Sequence, residues 1–257
     1  MTEPVIGKLA AGVRAGGVYC AWVGINDAQV AEALAREDFD AVLLDMQHGS
    51  YDQVGAARAI LSVALAGKPA LVRVAVGDFA GASRVIDAGA AGVIAPMINN
   101  VSDARAFAEA MKFPPLGRRS WGPRACLPLS GFIGPAYLHE ANAITLAIAM
   151  IETREALDAL DEILAVPGID GVFVGPSDLS IALANGGTVD PRGPAVEAAL
   201  TKVVAAARGA GKFVGLFCFD GAQAKAARAR GIAFTSISTD SLLLRAAARA
   251  ELEKARG

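Results

Sequence analysis

The sequence predicts an α/β protein, a (β/α)8 barrel with an extra helix ahead of the first strand. Three observations carry this. Eight short apolar runs rich in strand formers recur from end to end of the chain. Between them lie stretches whose apolar residues fall at helical spacing. The length, 257 residues, suits eight βα units better than two large domains. Strands alternating with helices give right-handed βαβ units and a parallel sheet.

Taken in order, residues 5–15 form the extra helix. The strand candidates are 18–24 (VYCAWVG), 40–46 (DAVLLDM), 70–74 (ALVRV), 91–97 (AGVIAPM), 145–152 (TLAIAMIE), 171–175 (GVFVG), 213–219 (FVGLFCF) and 233–238 (AFTSIS). All are apolar on both faces, as parallel strands with helices outside and a filled interior should be. Helical patterns cover 26–36, 51–65, 78–88, 101–111, 153–164, 194–209, 221–230 and 241–255. In 101–111 Ala104, Phe107, Ala108 and Met111 share a face, and Ser102 is the expected cap. In 153–164 Ala156, Leu157, Leu160, Ile163 and Leu164 do the same. The stretch 112–142, rich in Pro and Gly, breaks the rhythm. Trp121, Arg118, Arg119 and Arg124 make it a lid or an interface rather than a disordered linker. No linker divides the chain, so one barrel domain over 1–257 is expected.

Hydrophobic residues make up 54% and charged residues 19%, which excludes a disordered chain. A net charge of −2 without a basic stripe argues against nucleic acid as a partner. No apolar run approaches the roughly 18 residues of a membrane span. Glu3, Lys8 and Arg14 interrupt the N-terminal apolar stretch, so it does not read as a secretory signal. Cys20, Cys126 and Cys218 have neither disulfide-framework nor zinc-site spacing. A reduced, cytoplasmic protein is the expectation.

Barrel chemistry sits at the C-terminal ends of the strands. There this sequence places Asp45, Gln47 and His48, then Arg73, Glu152, and the turn Gly175-Pro176-Ser177-Asp178. Glu152 and Asp178 are hard oxygen donors at adjacent strand ends, suited to Mg²⁺ or Mn²⁺ with positions left for a substrate. Asp178 could instead cap the helix that starts near Ser177. The 175–178 turn would offer backbone N–H groups and a helix dipole to an anionic substrate. His48 follows Asp45 by three residues, an acid/base pair if the carboxylate orients the ring, or otherwise a surface histidine beside a cap. His139, in the irregular stretch, has no evident companion. Arg73 interrupts an apolar strand. It reads as a stabiliser of developing oxyanion charge or as a structural ion pair to Glu152 or Asp45. The seven lysines fall in helices, in loops or ahead of strands, which argues against a Schiff-base aldolase.

The segments FDAVLLDMQHG (39–49), LVRV (71–74), AGVIAPMINN (91–100), FPPLGRRSWGP (113–123), IETREALDALDEILAVPGIDGVFVGPSDLS (151–180) and TDSLLLRAA (239–247) resemble the HpcH/HpaI family of class II pyruvate aldolases. The resemblance implies a barrel that joins or cleaves a C–C bond between a 2-oxo acid enolate and an aldehyde. It implies a divalent cation (Mg²⁺, Mn²⁺ or Co²⁺) on Glu152 and Asp178, and Arg73 at the donor's keto oxygen. It further implies His48 with Asp45 as the acid/base dyad, and Gly175, Pro176 and Ser177 receiving the donor carboxylate. A homohexamer, a trimer of dimers with an exchanged terminal helix, is implied as well, and Leu242, Leu243 and Leu244 are compatible with it. The acceptor would be set by residues in 117–139 or by a neighbouring subunit. Two departures stand out. Gln47 occupies a position where family members often carry Glu, and Met150 one where many carry Gln. The alternatives are a citryl- or malyl-thioester lyase, against which the lack of a basic coenzyme patch speaks, and a non-catalytic metabolite-binding barrel.

Overall fold

The computed structural model describes residues 4–257. Eight parallel strands close into a barrel in sequence order: β1 Val18–Val23, β2 Ala41–Asp45, β3 Ala70–Arg73, β4 Gly92–Ala95, β5 Leu146–Ile151, β6 Gly171–Val174, β7 Phe213–Cys218 and β8 Phe234–Ile237. The helices are α1 Ile6–Arg14, α2 Ala28–Ala35, α3 Gln53–Leu65, α4 Phe79–Asp87, α5 Val101–Met111, α6 Leu127–Ser130, α7 Pro135–Ile144, α8 Arg154–Asp158, α9 Leu160–Leu164, α10 Pro176–Leu183, α11 Pro194–Gly209, α12 Gly221–Ala229 and α13 Asp240–Arg256. The expected (β/α)8 barrel is therefore the observed architecture. No described helix is long and apolar enough to cross a membrane.

Strand-to-helix turns carry short polar caps. The side chains of Asp27, Asp52, Asp78, Asn100, Thr153, Asp220 and Thr239 each accept a backbone N–H of the first turn. The cap of α5 is thus Asn100, not Ser102, because its carboxamide oxygen reaches the Asp103 N–H at 2.9 Å. The stretch 153–164 breaks at Ala159 into α8 and α9.

Alternation along the strands sorts the apolar residues into two cores. One series (Ala21, Val42, Leu44, Val72, Val93, Val172, Val174) faces the surrounding helices. The other (Cys20, Trp22, Leu43, Leu71, Ile94, Ile148, Met150, Phe173, Phe234) fills the barrel. Large rings interlock with missing side chains there. A Cβ on Gly215 would stand 2.5 Å from the Phe173 ring. Below, α1 buries Ile6, Leu9, Ala10 and Val13 against Val18, Leu146 and Phe234, plugging the N-terminal end.

The stretch 112–142 is built differently from the expectation. It contains α6 and α7, and it connects the end of α5 to the start of β5, so it packs at the N-terminal end of the barrel beside α1. Lys112, 1% exposed, donates to the carbonyls of Asn142 and Thr145 and to Asp170. Arg119 bonds Asp87 at 2.6 Å and lies over the Phe113 ring. These anchors hold the stretch away from the mouth of its own barrel, which it does not cover as a lid. His139 is exposed on α7.

Candidate active site

The period of two that fills the barrel also delivers the polar residues. On β2 the inward series runs Ala41, Leu43, Asp45, and on β3 it ends Leu71, Arg73. On β5 it runs Leu146, Ile148, Met150 and continues to Glu152. On β6 Phe173 is followed by Gly175. The last inward position of each of these strands, or the one just beyond its end, therefore lies at the mouth. Asp45, His48, Arg73, Met150, Gly175, Pro176, Ser177 and Asp178 line one mouth cavity of about 300 Å³, with Trp22, Phe173 and Phe217 as its apolar wall.

Asp45 and Arg73 are register partners on β2 and β3. Arg73 Nε and Nη2 donate to Asp45 Oδ1 and Oδ2 at 2.9 and 2.6 Å. Trp22 Nε1–H donates to Oδ2 at 3.2 Å, and its indole face lies 4.8 Å from the guanidinium carbon. Burial pushes the Asp45 carboxyl up, but the Arg73 hydrogen bonds and charge outweigh it, and the group is held below the usual carboxylate range. The backbone N–H groups of Gln47 and His48 also donate to Oδ1. Asp45 is thus committed to Arg73 and to the backbone. It fixes where His48 leaves the strand end but does not orient its ring, as the dyad expectation required. The His48 ring is exposed at the rim and makes no hydrogen bond among the described residues.

Glu152 is 1% exposed. Its Oε1 accepts the Met97 N–H at 2.8 Å. Met97 adopts φ +55, a left-handed backbone that costs a β-carbon residue roughly 1–2 kcal/mol. Oε2 is buried and has no partner. A Cβ on Gly175 would stand 2.5 Å from that oxygen and 2.9 Å from Met150 Cε. With φ −92, Gly175 is needed for space and not for its backbone angle. Burial, reinforced by the charge of Asp178, pushes the Glu152 carboxyl up to about 7, while the Met97 N–H and Arg73 pull the other way.

Asp178 is exposed, in the first turn of α10. Gly175 is the N-cap of that helix and Pro176 its first residue, and no side chain caps it, so Asp178 is not the cap. First-turn N–H groups lack helical partners, and Ser177 and Asp178 line the cavity. A buried carboxylate oxygen with no partner, and a second carboxylate whose charge reaches it, fit a hard divalent cation that keeps open positions.

Residues 19–247 match the HpcH/HpaI aldolase/citrate lyase family. The chain belongs to this family. It is a carbon–carbon lyase of the aldolase type. It is 42% identical over 235 residues to a hydroxypyruvate/pyruvate aldolase of Rhizorhabdus wittichii, covering 91% of this chain and 92% of that one. It is 34% identical to a 4-hydroxy-2-oxo-heptane-1,7-dioate aldolase of Salmonella arizonae, covering 89% and 86%. A solved HpcH/HpaI aldolase/citrate lyase family protein from Burkholderia cenocepacia superposes with a TM-score of 0.87 at 32% identity, over 98% of this chain and 100% of that one.

Sequence reasoning had not singled out Trp22, the Met97 N–H or Asp240. Trp22 was findable, since it is the inward residue of β1 at the same end as Asp45. Asp240, 4% exposed, accepts the N–H groups of Gly24 and Ile25 at 3.1 and 2.8 Å and ties β1 to the start of α13. The Met97 contact depends on one backbone angle and left no sequence signal.

Proposed function

We propose that this enzyme makes and cleaves 4-hydroxy-2-oxo acids, adding the enolate of pyruvate or hydroxypyruvate to an aldehyde. The observation that carries the reading is the unpartnered Oε2 of Glu152, buried behind the same cavity that Arg73 faces. Glu152 and Asp178 would hold Mg²⁺, Mn²⁺ or Co²⁺, which when bound supplies Lewis acidity that acidifies the carbon next to the 2-oxo group. The first turn of α10, with Gly175, Pro176 and Ser177, receives the donor carboxylate. Arg73 is held rigid by Asp45 and by the Trp22 face, so its guanidinium meets negative charge developing on the keto oxygen without reorganising. The wall of Trp22, Phe173 and Phe217 keeps water from the enolate. His48, unencumbered at the rim, exchanges a proton with the acceptor's oxygen, and cleavage runs the same contacts in reverse.

The assembly belongs to the same reading. Helix α13 buries only Asp240 and exposes Leu242, Leu244 and Leu252, which supports a homo-oligomer that covers it. A hexamer built as a trimer of dimers is the arrangement we infer.

The roles of Arg73 and His48 separate in one experiment. Deuterium exchange into the pyruvate methyl group, without aldehyde, is measured beside the aldol rate. Arg73→Ala should depress both by about 10²–10³. His48→Ala should depress the aldol rate by a much larger factor than the exchange. Equal losses in His48→Ala would make the histidine the enolising base and overturn the assignment.

A further inference from the structure

A second cavity is larger than the mouth. At the N-terminal end of the barrel a cavity of about 510 Å³ lies between α1, the end of α11 and the starts of β5, β7 and β8. Arg14, Arg208 and Lys212 line it, with Asp170 as its one carboxylate. Asp170 is already satisfied, because Lys112 Nζ and the Ala147 N–H both donate to its Oδ2 at 2.7 Å. The three cations have no carboxylate of their own among the described residues. Arg14 Nη2 is held by the Ala143 carbonyl at 2.7 Å, and Lys212 Nζ by the Ile169 carbonyl. The Arg208 guanidinium makes no hydrogen bond or ion pair among the described residues. By contrast, Arg230 on α12's end finds Glu197 at 2.6 Å. Carbonyls hold Arg14 and Lys212 without neutralising them, and Arg208, like Arg14, is exposed, which leaves a positive cradle open to solvent. Val13, Val204 and Phe213 add apolar wall for a short carbon skeleton.

We propose that this cavity is a second binding site, for a small multiply charged oxyanion such as a phosphate monoester or a polycarboxylate, held by Arg14, Arg208 and Lys212. It lies at the opposite end of the barrel from the mouth, and the volume suits a small metabolite. Guanidinium and ammonium groups aimed at one oxyanion give short, charge-assisted hydrogen bonds. Occupancy would stabilise the folded chain in proportion to ligand concentration.

Calorimetric titration at constant ionic strength tests it, with inorganic phosphate in one arm and tricarballylate in the other to distinguish the two chemistries. Wild type and Asp178→Asn should bind at least one of them saturably and with equal affinity. Arg208→Gln with Lys212→Gln should weaken that affinity by about tenfold or more for each cation removed. The aldol rate of the double variant should stay at the wild-type value, since neither residue touches the mouth. Absence of saturable binding in both arms, binding that survives the double substitution, or binding lost in Asp178→Asn would overturn the proposal.

Discussion

Glu152 is a carboxylate held where its charge is disfavoured, and that has a measurable consequence without any metal. Its carboxyl is raised from 4.5 to about 7 by burial. Between those values the folded chain keeps a proton that the unfolded chain has lost. Stability from this group is therefore fully present below pH 4.5 and is lost as pH rises through about 7. A shift of this size corresponds to about 3 kcal/mol. Urea unfolding in the presence of a chelator should show this loss between pH 5 and pH 8, and Glu152→Gln should flatten it. An unchanged slope in the variant would mean that another group titrates. At this scale the sequence showed which residues carry charge and offered an ion pair of Arg73 with Glu152 or Asp45 as one alternative, and the structure makes it the pair with Asp45. Asp45 stands three residues from His48 in sequence, yet register places it directly opposite Arg73, and the guanidinium takes both its oxygens. Sequence spacing measures distance along one strand, whereas pairing is decided across strands.

Elements place these groups through two devices, the inward alternation of strands and the turns that follow them. The turn after β6 is the tightest example. Gly175 leaves space that Glu152 Oε2 and Met150 Cε fill, and it starts α10 without a capping side chain. Gly175→Ala would drive a methyl group into the Glu152 oxygen, so the carboxylate or the turn must move. Affinity for Mn²⁺, read by titration, should fall by at least tenfold, while circular dichroism should remain that of a folded barrel. Wild-type affinity in the variant would show that the close approach is unimportant. The strands were legible because each is a short apolar run bounded by turn residues. The helices were legible where their apolar faces were long. The stretch 112–142 was not, because α6 is only four residues long, both α6 and α7 carry proline in their first turn, and the stretch takes its order from Lys112 and Arg119, whose partners Thr145 and Asp87 lie far away in sequence. Its placement at the N-terminal end follows from topology alone, since any segment that leads into a strand of a parallel barrel arrives at that end.

For the whole molecule, the barrel separates its two ends by chemistry. The C-terminal mouth gathers Arg73, Glu152, Asp178 and His48, while the N-terminal end holds the plug of α1 and the buried Lys112. None of the seven lysines lines the mouth cavity. Lys112 is engaged below β5, Lys202 donates to the Leu157 carbonyl, and Lys212 sits ahead of β7. A covalent route through a lysine thus has no residue at the mouth to use, and in the proposed reading the charge of the enolate falls to Arg73 and to the cation that Glu152 and Asp178 would hold. Deuterium exchange into the methyl group of pyruvate, followed by proton NMR with protein stripped by chelator and then reloaded, tests this most directly. The account predicts no exchange above background in stripped protein, recovery with Mg²⁺, Mn²⁺ or Co²⁺, no recovery in Glu152→Gln, and no mass change after borohydride treatment with pyruvate. Full exchange in metal-free protein, or a reduced pyruvate adduct on any lysine, would contradict it.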